Sequence, residues 1–163
     1  MPLIKNRNIT DDRWVHLNDD APAAFNGFET ISLSRFTSEG SEWISKNIGL
    51  GIRLEPQDEI QKIATFLDHL SLIVLEMPAF TDGRTFSQAR LLKERFSYKG
   101  EIRVRGDFLR DQMFFLSRVG VDSFDFPEQT NLEERLEAFK EFSVTYQGSV
   151  DETRPHYLRN NPF

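Results

Sequence analysis

The side chains with the clearest chemical capacity are arginines set beside aspartates in two loops. Residues 78–85 read Pro-Ala-Phe-Thr-Asp-Gly-Arg-Thr, and residues 106–112 read Gly-Asp-Phe-Leu-Arg-Asp-Gln. A guanidinium is a planar fork of donors that fits sulfate, phosphate or carboxylate with paired, charge-assisted hydrogen bonds. Next to a helix N-terminus, whose first N–H groups have no partner, such a fork makes an anion-binding loop. Arg84 and Arg110 lie in the two loops with Asp82, Gly83 and Asp107, while Arg35, Arg53 and Arg105 end strand-like segments. Arg53, Asp82, Gly83, Arg84, Arg105, Asp107 and Arg110 are therefore the candidate ligand-binding residues, for an anionic small molecule. The competing structural reading makes Asp82 and Asp107 helix caps and puts Arg84 and Arg110 in ion pairs with neighbours such as Asp111, the commoner use of such loops.

Other chemistries are narrower. Glu76, Asp82, Asp107 and Asp125 are available for acid-base work or magnesium, but no spacing brings two of them together, so no catalytic residue and no metal site is assigned. The chain has no cysteine, which excludes a thiolate nucleophile, iron-sulfur ligation and a redox disulfide within it. His16, His69 and His156 are scattered, and His69 suits the C-terminal end of a helix, where a cation complements the dipole. Gly49-x-Gly51 lacks a third glycine, and no phosphate-loop lysine, nucleophile elbow or His-Glu-x-x-His helix occurs, so no cofactor is evident.

These residues must be carried by one chain of 163 residues with 26 acidic and 20 basic side chains, a net charge of −6 that argues against general nucleic-acid binding. The longest apolar run, residues 70–75, is far shorter than the roughly 20 residues of a membrane span, and residues 1–7 begin no signal-peptide core. A cytoplasmic location is expected. Phenylalanine, 15 residues against 2 tryptophans and 3 tyrosines, supplies the aromatic core.

From about Phe28 strand and helix periods alternate, the pattern of parallel strands joined by crossover helices, so the fold class is α/β. Strands are expected around Ile31 and Leu33 and over 49–54, 70–75, 101–105, 121–126 and 142–147, about six in all. Helical stripes join them. Ile60, Ile63, Ala64 and Leu67 follow Pro56 in a first turn; Phe86, Ala89, Leu92 and Phe96 stop at Gly100; Leu109, Met113 and Leu116 run from an Asp107 cap to Gly120; and Thr130 with Glu133 forms a capping box before Leu136 and Phe139. Leu50, Ile52 and Leu54 alternate with Gly51, Arg53 and Glu55, and Ile102 and Val104 alternate with Glu101, Arg103 and Arg105. A parallel sheet with one apolar and one polar face describes an incomplete (β/α) barrel, with a doubly wound open sheet as the alternative. A single domain is expected over 1–163: an irregular edge or lid over 1–27 with a short strand near 14–17, βα repeats over 28–147, and a tail over 148–163 that is mobile or wrapped on the surface. An open polar face with Arg53, Arg103, Arg105, Glu55 and Glu101 also suggests a homo-oligomer.

Two segments carry a family resemblance. One is Asp-Gly-Arg-Thr-Phe-Ser-Gln-Ala-Arg-Leu-Leu over 82–92, and the other runs from Gly106-Asp107-Phe108-Leu109-Arg110 to Gly120-Val121-Asp122-Ser123-Phe124. Through them the chain resembles a bacterial family, domain-of-unknown-function family nine-three-four, over nearly its whole length and least over 1–27. The resemblance implies a place in sulfur assimilation beside assimilatory sulfite reductase, where such proteins carry the label probable oxidoreductase of sulfite reduction. It supplies no catalytic residues. The expected function is an accessory or binding protein of sulfite reduction that meets the reductase or its electron donor. The alternative is a small enzyme or sensor holding an anionic metabolite at the strand ends.

Overall fold

A computed structural model describes residues 2–46, 48–127 and 130–159. Eight strands form one sheet: β1 (Pro2–Lys5), β2 (Asn8–Asp11), β3 (Val15–His16), β4 (Glu29–Ser32), β5 (Leu50–Leu54), β6 (Leu70–Met77), β7 (Glu101–Gly106) and β8 (Ser123–Asp125), in the order β2-β1-β8-β7-β6-β5-β4-β3. β3 to β8 run parallel, and the β1–β2 hairpin adds antiparallel beside β8. The helices are α1 (Leu33–Ser45), α2 (Arg84–Glu94), α3 (Arg110–Arg118), α4 (Leu132–Leu136) and α5 (His156–Arg159), with 3₁₀ helices at Ile60–His69 and Glu137–Lys140.

The α/β class stands, with eight strands in place of about six. The sheet curls into a half-barrel, so the doubly wound alternative is not the arrangement. One contact measures the curl: His16 on β3 lies 3.4 Å from Asp125 on β8, although four strands stand between them. A flat sheet at ~4.8 Å per strand would hold them roughly 24 Å apart. The apolar side chains Ile31, Ile52, Ile73, Ile102, Val104 and Phe124 pack in one core with Phe36 and Trp43 of α1, Leu92 of α2 and Met113 and Leu116 of α3. The inverse face is the inside of a cup.

Several expected boundaries move, each for a local reason. Residues 2–16 hold three strands: β3 is the short strand expected near 14–17, while β1 and β2 stand in place of the expected irregular edge or lid. The β1–β2 turn is the two-residue kind that matches strand twist, because Asn6 and Arg7 both take left-handed φ, 48° and 61°. Leu33 leaves the strand and starts α1, since the Ser32 hydroxyl accepts from Arg35 N; Arg35 is thus a helical residue, donating to Asn18 O and Ala21 O. Pro56 occupies the turn closed by Asp58 N to Glu55 O, and the segment after it winds as 3₁₀, which lines up the buried pair Ile60 and Ile63. α2 ends before Gly100, where Ser97 at φ 51° lets Tyr98 N reach Leu92 O. Leu109, and not Asp107, occupies the N-cap of α3, and Asn131, whose side chain accepts from Glu134 N, replaces Thr130 at α4. Gly120, at φ 105°, does end α3.

Residues 142–147 form no strand. The free edge of β8 is taken by β1, with Ile4 opposite Phe124, so the segment has no neighbour to pair with. Phe142 packs on Phe114 instead, at 4.9 Å between ring centres, and Arg118 donates to Gln147 O. The tail is held to α3 through Ser149 and Asp151 and forms α5; its residues 160–163 lie outside the described residues. Among the described residues no helix is long and apolar enough to cross a membrane.

Candidate functional site

Period-two alternation and parallel register decide what faces into the cup. Thr30, Gly51, Leu72 and Glu101 lie in one row across β4 to β7; Ser32, Arg53, Val74, Arg103 and Ser123 form the next; Glu76, Arg105 and Asp125 form the row at the C-terminal ends of β6, β7 and β8. The floor is apolar at Leu72 and Val74, and the walls are charged.

A strap, residues 12–17, crosses the cup. Asp12, Trp14 and His16 alternate along it and all line the inner cavity. Trp14 lies over Gly51, where an added Cβ would stand 3.1 Å from the indole and 2.6 Å from Thr30 Cγ2, so the glycine is what admits the ring. Four polar contacts fasten the strap. Arg103 NH1 donates to Asp12 Oδ2 at 2.8 Å, Arg53 NH2 donates to Leu17 O at 2.6 Å, His16 Nδ1 pairs with Thr30 Oγ1 at 2.7 Å, and His16 Nε2 lies against Asp125 without hydrogen-bond alignment. Arg103 is 1% exposed and also donates to Glu101 Oε1 at 2.9 Å, while Lys5 meets the other oxygen of Glu101 at 2.6 Å. A buried cation thus has its charges answered on both sides, the condition on which such a network is tolerated.

Under the strap is a cavity of about 420 Å³ lined by Trp14, His16, Arg105, Gly106, Asp125 and Phe126 among others. Gly106 takes φ 122° and its missing side chain would collide with Met77 O, so this loop requires glycine where β7 turns outward. The guanidinium of Arg105 is 41% exposed, 3.3 Å from Asp125 and 3.8 Å from Glu76, and makes no hydrogen bond among the described residues.

The carboxyls of this row are driven apart. Burial raises Glu76 above the usual carboxylate value, with Arg105 and Arg53 only partly offsetting it. Burial also works against ionised Asp125 and Glu101, but here it loses: His16, Arg105 and Arg103 hold Asp125 low, and Lys5, Ser123 and Arg103 hold Glu101 low. Burial lowers Arg53 from its ordinary value, with Glu76 opposing. Four cations, Lys5, Arg53, Arg103 and Arg105, stand against Asp12, Glu76, Glu101 and Asp125, so any protonation of Glu76 tips the cup positive. In this row the guanidinium of Arg105 is the group that can receive an anion, and Glu76, whose proton affinity is raised, is the carboxyl able to exchange a proton beside it.

The seven sequence candidates separate. Arg53 and Arg105 come together, both about 3.8–3.9 Å from Glu76, but Arg53 is occupied by Thr30 O and Leu17 O, leaving Arg105 as the open donor. Arg84 forms a two-pronged pair with Asp82, 2.9 and 2.6 Å, at the exposed start of α2, where Gly83 is the N-cap. Arg110 pairs with Glu141 at 2.7 Å, and Asp107 is exposed with its N–H bound to Met77 O. None of these five lines the cavity, and of the seven only Arg105 does. Arg103 and Glu101, which sequence offered to a second copy, pair inside the chain. Sequence reasoning missed Asp12, Trp14 and His16 as site residues. Their spacing of two was the available signal, because an extended segment places such residues on one face.

A family model described as a bacterial protein of unknown function (DUF934) matches residues 51–157. That stretch carries Arg53, Glu76, Arg105 and Asp125 and leaves the strap outside. No curated protein matches the chain.

Proposed function

Because the chain belongs to the DUF934 family of bacterial proteins of unknown function, we propose that it serves assimilatory sulfite reduction as an accessory protein that holds a small anion in the mouth of its half-barrel. The observation that carries the binding role is Arg105. A guanidinium in a walled cavity, with carboxylates at ion-pair distance but its fork engaged in no hydrogen bond among the described residues, is available to a ligand oxyanion. The position agrees with the general use of parallel α/β folds, where strand C-termini and their loops build the site. The sulfur pathway, and work beside the reductase or its electron donor, is supported by the resemblance carried by residues 82–92 and 106–124.

Gene deletion and complementation test both parts. Loss of the gene is expected to slow growth on sulfate more than growth on cysteine, with wild type restoring growth and Arg105→Ala failing to do so at equal protein level. Equal growth of the deletion strain on both sulfur sources removes the pathway. Full rescue by Arg105→Ala removes the anion site.

A further inference from the structure

The cavity is larger and less polar than a bare oxyanion requires. Its volume of about 420 Å³ falls in the ~300–1,000 Å³ range of pockets that take small organic ligands. A tetrahedral inorganic anion has five heavy atoms, and water fills about 30 Å³ per molecule, so such an anion on Arg105 would leave most of the space wet. Trp14, Phe126 and Pro127 give the cavity an aromatic and apolar wall beside the polar Asp12, His16 and Asp125. Trp14 is held in place from two sides, by Phe28 in an edge-to-face contact at 5.8 Å and by its seat over Gly51. Its indole N–H donates to no described residue. A fixed, partly exposed indole lining the same cavity as the guanidinium of Arg105 is a two-part recognition surface, one part for a flat apolar body and one for a charged group.

We infer that the cup takes an organic anion, a carboxylate, phosphate or sulfonate group carried on a planar, largely apolar body, with the charged group on Arg105 and the planar body against Trp14. The inference rests on the anion-binding reading of the same cavity and adds the body to it. Trp14 is then the specificity-determining residue and Arg105 the charge-binding one. His16, which lines the same cavity, keeps its Nδ1 on Thr30 Oγ1 while its buried Nε2 lies 3.4 Å from Asp125 with no hydrogen-bond partner among the described residues.

Matched pairs of probes isolate the body: phenyl phosphate against inorganic phosphate, and benzenesulfonate against sulfite. The chain has two tryptophans, and Trp43 is buried in the core at 1% exposure, so a ligand-dependent change in fluorescence reports Trp14. The aryl member of each pair is expected to bind about ten-fold or more tighter than the inorganic one, in line with the strength of stacking on an aromatic side chain, and to alter the emission. Calorimetry on Trp14→Ala should show that preference gone while the inorganic anion keeps its affinity, and Trp14→Phe should restore part of it. The Trp43 emission of each variant checks that the fold is intact. Equal affinity for both members of each pair in the wild type overturns this inference and leaves the anion site standing. Loss of both classes in Arg105→Ala with the preference lost in Trp14→Ala supports both; aryl binding that survives Arg105→Ala unchanged overturns the anion reading itself.

Discussion

Glu76 and Asp125 face the same cup from the two ends of one row, on either side of Arg105, yet the fold treats their charges in opposite ways. Glu76, held above its ordinary value of 4.5, keeps its proton longer in the fold than in the unfolded chain, so its ionisation subtracts stability as pH rises through that interval. Glu76→Gln removes that loss. The variant is expected to resist urea better than wild type at pH 7, with the advantage shrinking as pH falls below the ordinary carboxylate range. Asp125 is held below its ordinary value of 3.8, so its contribution is complete above that value and is lost as pH falls through the depressed one. Asp125→Asn should therefore weaken the fold at pH 7 and converge with wild type in acid. Urea midpoints for the three proteins at pH 7 and pH 3 check the signs, and a stabilised Asp125→Asn or a weakened Glu76→Gln at pH 7 contradicts the electrostatic description.

At the scale of elements, the strap is where a single atom decides the architecture. Gly51 leaves room for Trp14, and a methyl group there meets both Thr30 and the indole. Gly51→Ala is expected to cost about 1–3 kcal/mol, the usual cost of overpacking, and to shift Trp14 emission to the red as the strap lifts. Unchanged stability and emission would show that the strap does not depend on this contact. Five of the strands, β4 to β8, and their crossover connections were legible, β4, β5 and β7 from apolar and polar alternation around a one-sided core and β6 from its short apolar run. The β1–β2 hairpin was not, because its turn uses Asn6 and Arg7 in left-handed backbone without the glycine that normally announces it. Residues 142–147 erred the other way: their alternation is real, but alternation specifies a face and not a partner, and β1 already occupied the edge.

For the whole molecule, the decisive property is closure, and closure was only half visible. The polar strand face announced a concave surface. That β3 would come round to within contact of β8 depends on summed twist and on the strap ion pairs between residues 91 positions apart, Asp12 and Arg103, which no local pattern reports. This is also why seven arginine, aspartate and glycine candidates read as one group in sequence and divide into an open donor in the cup and closed pairs on the outer loops. Arg84 and Arg105 therefore make the sharpest contrast, one locked in a two-pronged pair with Asp82 and the other at ion-pair distance from Glu76 and Asp125 but engaged by no hydrogen bond among the described residues. Calorimetric titration of wild type, Arg84→Ala and Arg105→Ala with phenyl phosphate and with sulfite compares them directly. Losing a charge-assisted contact costs ~1.5–3 kcal/mol, so Arg105→Ala should bind roughly ten-fold or more weakly while Arg84→Ala matches wild type. Binding lost in Arg84→Ala and kept in Arg105→Ala, or no binding by the wild type, contradicts the assignment of the cup as the anion site.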